Sequence, residues 1–294
     1  IGAGMMLYDI FSWSGGSSPG VPHHRHLSKR QIERAAPSLA GSEIIGGMSY
    51  SDGRVDDARY CVNLVRTAVA NGAIAANRTE LIGFVQNKGR VTGAQIKDLE
   101  TGETFTVKAK QVINATGVWT GKTQQLVHEG GELRVRASKG IHILIPREKF
   151  KSVMGLLLRT EKSVLFVIPW GRHWIVGTTD TDWDLDKLNP SATATDINYV
   201  LDHLNAVVDE PITHDDIEGV YVGLRPLLAS KQENTTKLSR DHLVVRPKPG
   251  LVLIAGGKWT TYRIMGKDAV DAAVAGLVED AKVNPQIPAS ITSK

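Results

Sequence analysis

The 294-residue sequence predicts an α/β fold in which a parallel sheet of βα units is interleaved with a mostly antiparallel sheet. Buried-type strands at 111–115 and 251–255 each run into glycine and then a helical pattern, which is typical of βα units. Between them, longer strands at 135–146 and 163–169 follow one another with no helical pattern between them, which indicates antiparallel pairing. The 41% hydrophobic and 22% charged content excludes disorder and coiled coil.

The first part of the chain predicts three helices. Residues 1–13 form a helical pattern and lack the basic start of a signal peptide. Ser28 caps a short helix that Pro37 stops. Asp56 opens a longer helix that Gly72 ends. Apolar side chains on this third helix recur at the spacing of a core-facing stripe. They are Ala58, Cys61, Val62, Val65, Ala68 and Val69.

The later elements alternate between sheet and helix. Turn residues at 88–90 and 100–102 divide a meander of short strands. Thr193 and Asp196 match the capping box of a later helix. In chain order the elements are a meander at 73–108, a strand at 111–115, longer strands at 135–146, 163–169 and 174–178, a helix at 195–208, a strand at 251–255 and an Ala-rich helix to 278.

Charge and cysteine content restrict the partners. The net charge of +4 suits an anionic substrate or an anionic membrane surface, but it is too small to indicate nucleic acid. Cys61 is the single cysteine, so no internal disulfide can form. No unbroken apolar run reaches the roughly 18 to 20 residues that a spanning helix needs.

The segment 256–263 carries the most specific local pattern. Two glycines directly after a buried strand allow close backbone approach, and Lys258 with two threonines begins the next helix. Amide groups, hydroxyls, a positive dipole end and a cation therefore meet at one point, which predicts a site for an anion. The alternative is an ordinary strand-to-helix turn with a threonine cap.

Three further features are candidates for ligand contacts. The strand that ends at Thr116-Gly117 allows a ligand to approach the backbone at a helix start, although many βα turns share this form. Arg225 lies in an apolar strand-like run and needs a partner, either a phosphate or carboxylate ligand or a structural acid. Arg240 has the same requirement, with Asp241 beside it as the alternative partner.

Other patterns indicate no metal and no glycine fingerprint. His142 alternates with apolar strand neighbours, and a structural or surface role is the alternative to a functional one. The acidic loop at 177–182 is too sparse for a calcium loop, and no cysteine or acidic cluster accompanies the histidines at 23–26, where a flexible loop is expected. Gly2 and Gly4 begin like a dinucleotide fingerprint, but no strand precedes them and no third glycine follows.

Taken together and in this order, the motifs resemble the FAD-dependent, quinone-linked glycerol-3-phosphate dehydrogenases, and the actinobacterial type most of all. The resemblance covers nearly the whole chain. A tryptophan at 259 departs slightly from the family pattern, where leucine or tyrosine is commoner. The matching segments are GGMSYSD at 46–52, DDAR at 56–59, NATGVW at 114–119, SKGIH at 138–142, FVIPW at 166–170, GTTDTDW at 177–183, GLRPL at 223–227, SRD at 239–241 and GGKWTTYR at 256–263.

The resemblance implies a FAD-binding domain of the glutathione-reductase or D-amino-acid-oxidase type, interleaved with an antiparallel substrate domain. It also implies a central fragment without the N-terminal glycine fingerprint and the C-terminal helical domain, which we expect not to hold FAD tightly alone. The implied division assigns 1–55 to the substrate domain, 56–128 to the FAD domain, 129–250 to the substrate domain, 251–280 to the FAD domain and 281–294 to a linker.

The same resemblance implies oxidation of sn-glycerol 3-phosphate to dihydroxyacetone phosphate, with hydride transfer to FAD and electrons passed to quinone. Catalytic candidates are Lys258, Arg225 and His142, although the general base is not identified. The substrate would contact Arg225, Arg240, Lys258 and Thr260. The residues implied for FAD are Leu81, Ala115, Thr116, Gly117, Gly256, Gly257, Lys258, Trp259, Thr260 and Thr261.

The implied partners are glycerol 3-phosphate, membrane quinone and the cytoplasmic membrane surface. The expected location is the cytoplasm, with peripheral attachment to the inner face of the cell membrane. A homodimer is compatible with the sequence, and nucleic acid is not expected. The alternatives are a flavin oxidase of the same fold, acting on glycerol 3-phosphate or an amine, and a non-catalytic fragment that binds anions.

Overall fold

The computed structural model describes residues 2–14, 22–40, 44–127, 134–160, 164–228 and 241–280. Within these ranges the chain forms helices and strands that build one large antiparallel sheet, a mixed sheet, a meander and a strand pair. The helices are α1 (Gly2–Ser14), α2 (Lys29–Ala35), α3 (Asp57–Ala70), α4 (Thr120–Gln125), α5 (Ala194–Asn205) and α6 (Tyr262–Glu279). The strands are β1 (Arg25–Ser28), β2 (Gly46–Ser49), β3 (Thr79–Asn87), β4 (Arg90–Asp98), β5 (Thr104–Lys108), β6 (Val112–Asn114), β7 (Val135–Pro146), β8 (Leu156–Arg159), β9 (Val164–Trp170), β10 (His173–Gly177), β11 (Thr181–Asp182), β12 (Gly219–Leu228), β13 (His242–Lys248) and β14 (Leu251–Gly256).

The antiparallel sheet is built around β7, the long strand that the sequence predicts at 135–146. On one side β7 pairs with β10 and β11, and on the other with β12; β9 and β8 extend the sheet beyond β10. Alternate residues of β7 point to one face, where they pack with α5 in the largest hydrophobic core. This core includes Ile141, Ile143, Ile145, Trp174, Val200, Leu201 and Leu204.

A buried ion pair joins α5 to β7. Lys139 Nζ lies 2.6 Å from Asp196 Oδ2, and the two side chains are 2% and 6% exposed. Asp196 also accepts hydrogen bonds from Thr193 in the predicted capping box. Burial opposes ionisation of Asp196, but the hydrogen bonds from Lys139 and Thr193 outweigh it and lower its pKa. The capping residue thus also fixes where the helix sits on the sheet.

The mixed sheet contains the predicted βα strands. β14 pairs with β6 in parallel and with β13 in antiparallel fashion, and residues 251–255 of β14 are all buried, as a buried-type strand predicts. α6 packs on β13 and β14. The meander β3–β4–β5 forms as predicted and joins this core through Val91, whose amide donates to Pro249 O at 2.9 Å.

The apolar stripe predicted for α3 is not buried. The helix begins at the predicted cap, where Asp56 accepts from the Arg59 amide, but it has no buried residue. Val62 is 57% exposed and Val65 is 50% exposed. The prediction of a core-facing stripe is therefore wrong for the described residues, because nothing among them packs on that side of α3.

The domain division stays a prediction. β13, which the sequence division places in 129–250, pairs with β14 of the mixed sheet.

α1 and α2 form as predicted, and Ser28 makes a capping box with Gln31. The helices seen in the described ranges are all too short or too polar to cross a bilayer.

Candidate functional site

Two of the predicted ligand-contacting turns lie at one edge of the mixed sheet. β6 and β14 run parallel with Leu253 opposite Asn114, so their carboxyl ends point the same way. The turn at 115–117 follows β6, and the turn at 256–258 follows β14. Ligands of α/β sheets bind at this edge, outside the carboxyl ends of the strands. The fold therefore brings together segments that lie far apart in the sequence.

A hydroxyl and amide network shapes the turn after β6. Thr116 Oγ1 donates to Asn114 Oδ1 at 2.6 Å, and Asn114 Nδ2 donates to Thr123 Oγ1 of α4 at 2.6 Å. Gly117 has φ +56°, and a Cβ built there would meet no atom within 4 Å. The backbone at Gly117 is thus open to a ligand, as predicted, and Ala115 beside it is exposed.

The turn after β14 requires its two glycines. Gly256 and Gly257 have φ values of +77° and +86°. A Cβ at Gly256 would lie 2.4 Å from Asp241 O, and one at Gly257 would lie 2.5 Å from Met265 Sδ. Both positions therefore exclude larger residues, on grounds of backbone conformation and space together.

The residues after these glycines are largely exposed. Lys258 has an exposed side chain without a hydrogen-bond or ion-pair partner in the described part of the chain. Thr260 is exposed as well, whereas Thr261 Oγ1 donates back to Lys258 O at 3.0 Å. Lys258 therefore presents a cation at the strand edge, while the Thr261 hydroxyl serves the turn itself.

Trp259 belongs to an aromatic cluster that connects α3 to the start of α6. Its ring lies 5.9 Å from the Tyr262 ring and 5.8 Å from the Tyr60 ring of α3. The hydroxyls of Tyr60 and Tyr262 are hydrogen-bonded to each other. The unusual tryptophan at 259 is therefore accommodated by side-chain packing against its neighbours.

A second group of candidates lies on one face of the antiparallel sheet, opposite the α5 core. His142 and Gly140 of β7 stand opposite Tyr221 and Gly223 of β12, and paired residues share a face. Two of these four positions have no side chain, so the strip of this face between His142 and Arg225 has a floor of glycine, which is open at Gly223 and covered by the Arg225 guanidinium at Gly140. We call this strip the glycine trough. Arg225 lies on the same face, two residues beyond Gly223.

Arg225 is held at one end of the glycine trough. Its Nη2 donates to Thr178 Oγ1 at 3.0 Å and its Nη1 to Thr179 O at 3.1 Å, while Asp180 Oδ1 lies 3.9 Å away. A Cβ at Gly140 would lie 2.4 Å from Arg225 Nη2, so the guanidinium extends over that glycine. The Thr178 hydroxyl, the Thr179 carbonyl and the Asp180 carboxylate thus hold the guanidinium, and the 30% exposed side chain places a cation at the trough.

His142 lies at the other end, between two strands. Its ring stacks on the Tyr221 ring with centroids 4.8 Å apart and planes 10° from parallel. On the β10 side, a Cβ at Gly177 would lie 2.5 Å from His142 Cδ2. Burial is the main cause that lowers the pKa of His142 to about 4; the Arg225 charge acts in the same direction, and Asp57 opposes both.

The imidazole is therefore neutral near neutral pH and able to accept a proton. Within the described ranges neither ring nitrogen of His142 has a hydrogen-bond partner. His142 is thus a strand histidine on the face away from the core, and its functional role stays a prediction.

The first turn of α3 places the two groups of candidates side by side. Asp57 is close enough to His142 and Tyr221 to raise the pKa of both. Tyr60 contacts Trp259 and Tyr262 at the strand edge. Residues three apart in a helix are separated by about 4.5 Å along its axis. The glycine trough and the turn after β14 therefore flank the same helix turn.

One predicted residue, Leu81, is not part of either group of candidates. Leu81 is on β3, opposite Ile96 in the meander; its neighbour Glu80 lies 3.5 Å from Lys122 of α4. Arg240 lies outside the described residues. The individual contacts that the resemblance implies for FAD and substrate stay predictions.

Sequence reasoning missed Tyr221, Thr178 and Asp57. Tyr221 could have been found, because it shares strand spacing with Arg225 and so shares its face. Strand pairing brings Thr178 to the trough, and the position of α3 brings Asp57 near it. No local sequence pattern predicts either proximity.

Comparison with known proteins places this geometry in a family. The sequence profile of the FAD dependent oxidoreductase family matches residues 8–272. Among curated proteins, the chain is 48% identical over 292 residues to "Glycerol-3-phosphate dehydrogenase 2" of Mycobacterium tuberculosis, covering 99% of this chain and 49% of that protein. The chain thus spans about half the length of this curated relative.

Solved structures give the same result. The glycerol-3-phosphate dehydrogenase from Bacillus halodurans complexed with FAD matches with TM-score 0.77 and 32% identity, over 86% of this chain and 49% of that one. Glycine oxidase from Bacillus cereus matches with TM-score 0.62 and 17% identity, over 95% of this chain and 69% of that one, a likeness of fold alone.

Proposed function

The chain belongs to the FAD dependent oxidoreductase family, and from this premise we propose that it is the central part of an enzyme that oxidises sn-glycerol 3-phosphate to dihydroxyacetone phosphate. The observation that carries the proposal is the glycine trough, which has the Arg225 cation at one end and the neutral imidazole of His142 at the other. The substrate has the matching chemistry, a phosphate at one end and a secondary hydroxyl beside it.

The strand edge beside the trough fits the cofactor. Gly117 leaves its backbone open, Gly256 and Gly257 allow close approach, and Lys258 adds an exposed cation. Open glycine backbone at helix starts suits a pyrophosphate or another anionic group. The residues present therefore fit FAD, which when bound supplies the hydride acceptor for the oxidation.

The side chains of the trough have separate roles in this proposal. Arg225 binds the substrate phosphate, because a guanidinium matches phosphate oxygens in geometry and charge. His142 accepts the proton of the C2 hydroxyl, because its lowered pKa keeps it neutral. The hydroxyl carbon loses a hydride as the oxygen loses its proton, and the product is a ketone.

We further propose that electrons pass to membrane quinone and that the whole protein is peripherally attached to the inner face of the cell membrane. The basic net charge of +4, which suits an anionic membrane surface, supports the attachment. A homodimer remains compatible with it. Release of the protein from membranes by salt, and reduction of a quinone analogue by glycerol 3-phosphate, are the direct tests.

The test of the reaction uses the FAD-loaded, full-length protein without oxygen. We expect sn-glycerol 3-phosphate to bleach the flavin absorbance, and glycerol, which lacks the phosphate, to bleach it far more slowly. Bleaching by glycine instead would identify an amine oxidase and overturn the proposal. Rapid re-oxidation of the reduced protein by oxygen, without quinone, would identify the oxidase alternative. Failure of the protein to take up FAD would indicate the non-catalytic, anion-binding alternative.

A further inference from the structure

We propose that Tyr221 is a positioning residue that acts through His142. It covers one face of the imidazole and restricts the orientation of the ring beside the glycine trough. The proposal rests on the proposed function in one respect, that His142 takes the proton of the substrate hydroxyl. The stack itself is a property of the chain and does not depend on the identity of the substrate.

The position of Tyr221 is set by strand pairing. It stands directly opposite His142 in the β7–β12 register, and the rings are 4.8 Å apart and nearly parallel. The opposite flank of the imidazole lies against Gly177, where a Cβ would come within 2.5 Å of His142 Cδ2. The imidazole thus fits between a residue without a side chain and an aromatic face, which restricts its rotation about χ1 and χ2.

The exposure of Tyr221 separates this role from a structural one. Its side chain is 44% exposed and belongs to none of the hydrophobic cores of the described residues. Its neighbour Val222 packs against the main core instead. Removing the Tyr221 ring should therefore uncover His142 to water with little effect on the fold.

Three elements surround His142, and two of them carry a charge. Arg225 on β12 disfavours a protonated imidazole, Asp57 at the start of α3 favours it, and β10 contributes Gly177, which has no charge. The two charges oppose each other, and burial is the largest influence on the ring. A residue that covers one face of the imidazole therefore adds to the burial that favours the neutral ring.

The experiment compares Tyr221→Leu, which removes the aromatic cover, with Tyr221→Phe, which keeps it, in the full-length FAD-loaded protein. Histidine NMR follows the titration of His142, whose signal is identified by its loss in His142→Gln. We expect wild type and Tyr221→Phe to titrate alike, and Tyr221→Leu to titrate about one pH unit or more higher, toward the ordinary histidine value.

Kinetics on the same variants supply the second readout. Because the base must be neutral, kcat/KM falls on the acid side of its pKa, and we expect this acid limb to move upward in Tyr221→Leu together with the NMR value. We expect kcat to fall about tenfold with KM nearly unchanged, since ring orientation matters in the transition state. Full activity in Tyr221→Phe would show that the ring, and not the hydroxyl, is responsible.

The outcomes separate the two proposals. An unchanged titration of His142 in Tyr221→Leu overturns the positioning role. A shifted titration with an unmoved acid limb shows that His142 does not take the proton, which overturns its role as base and with it the catalytic effect of Tyr221. Oxidation of a different substrate with both shifts intact would overturn the proposed function alone. Should Tyr221→Leu fail to fold, Tyr221→Val, a good strand former, takes its place.

Discussion

In the antiparallel sheet, Arg225 and His142 are held by neighbouring groups, whereas at the edge of the mixed sheet Lys258 has no partner among the described residues. The first region fixes side chains through hydrogen bonds and stacking above a large core. The edge of the mixed sheet instead fixes the backbone, because its glycines lie close to other atoms, and the Lys258 side chain stays exposed to solvent.

The difference indicates how each region would meet its ligand. A held guanidinium and a stacked imidazole lose little freedom on binding, so the antiparallel sheet is preorganised for a small substrate. Lys258 must still lose rotamer freedom when an anion arrives. Substitutions in the two regions should therefore differ in size and in kind.

The largest effect should come from the core beneath the glycine trough. Ile143→Ala removes a fully buried side chain and should cost about 2–5 kcal/mol of the free energy of unfolding. The matched control is Val65→Ala on α3, at a 50% exposed position, where the change should stay within roughly 0.5 kcal/mol. Chemical denaturation measures both. Equal losses in the two variants would show that the α3 stripe is packed in solution.

Arg225→Ala should mainly raise KM. Substrate and transition state carry the same phosphate, so the loss of one charge-assisted contact of roughly 1.5 to 3 kcal/mol should raise KM about ten- to a hundredfold with a small change in kcat. Arg225→Lys keeps the charge without the planar fork and should recover part of the loss. Steady-state kinetics measure kcat and KM of both variants. Loss of bound flavin in Arg225→Ala would place Arg225 in the cofactor site instead.

His142 should make stability depend on pH. Its folded-state pKa of about 4 lies below the value near 6.5 of an unfolded histidine, so the unfolded state takes up the proton first as pH falls. The stability that depends on a neutral His142 is fully present above the unfolded pKa, and it is lost as pH falls toward the folded pKa. Between about pH 7 and about pH 5, wild type should lose about 2 kcal/mol more than His142→Gln. Parallel stability curves for the two proteins would contradict this.

Lys258→Met should give the smallest of these effects. Because Lys258 is exposed, its charge is screened, and an interaction of roughly 0.2 to 1 kcal/mol corresponds to at most about a fivefold loss in kcat. The flavin reduction potential should also fall, because the negatively charged reduced flavin at the strand edge loses the stabilising cation of Lys258. A redox titration with kinetics at low and high salt tests this. A kcat loss far above fivefold, insensitive to salt, would show that Lys258 is ordered and desolvated in the holoenzyme.

Local patterns in the sequence predicted what local forces determine. The strand at 251–255, its glycines and the capping residues Asp56 and Thr193 were found because burial, positive φ and capping leave marks within a few residues. Parallel pairing of β14 with β6 followed from the same βα logic.

What the sequence did not predict depends on register and on neighbours far along the chain. The pairing of Tyr221 with His142 is fixed by strand register, and a shift of one residue would turn Tyr221 to the other face. The exposure of Val65 could not be predicted either, since helical spacing identifies an apolar face but not what covers it. Site candidates found by local pattern were thus single residues, and only the fold showed which of them are neighbours.

The glycines of the trough also bear on how this site can change in evolution. Side chains at 140 and 177 would collide with Arg225 and His142, so those positions are closed to variation while these groups stay in place. Gly223 differs, because a Cβ there would meet no atom within 4 Å. An alanine at 223 would leave the sheet undisturbed and still occupy space above the floor. Of the glycines at 140, 177 and 223, only the last can therefore gain a side chain, and selection for a slimmer substrate could act there.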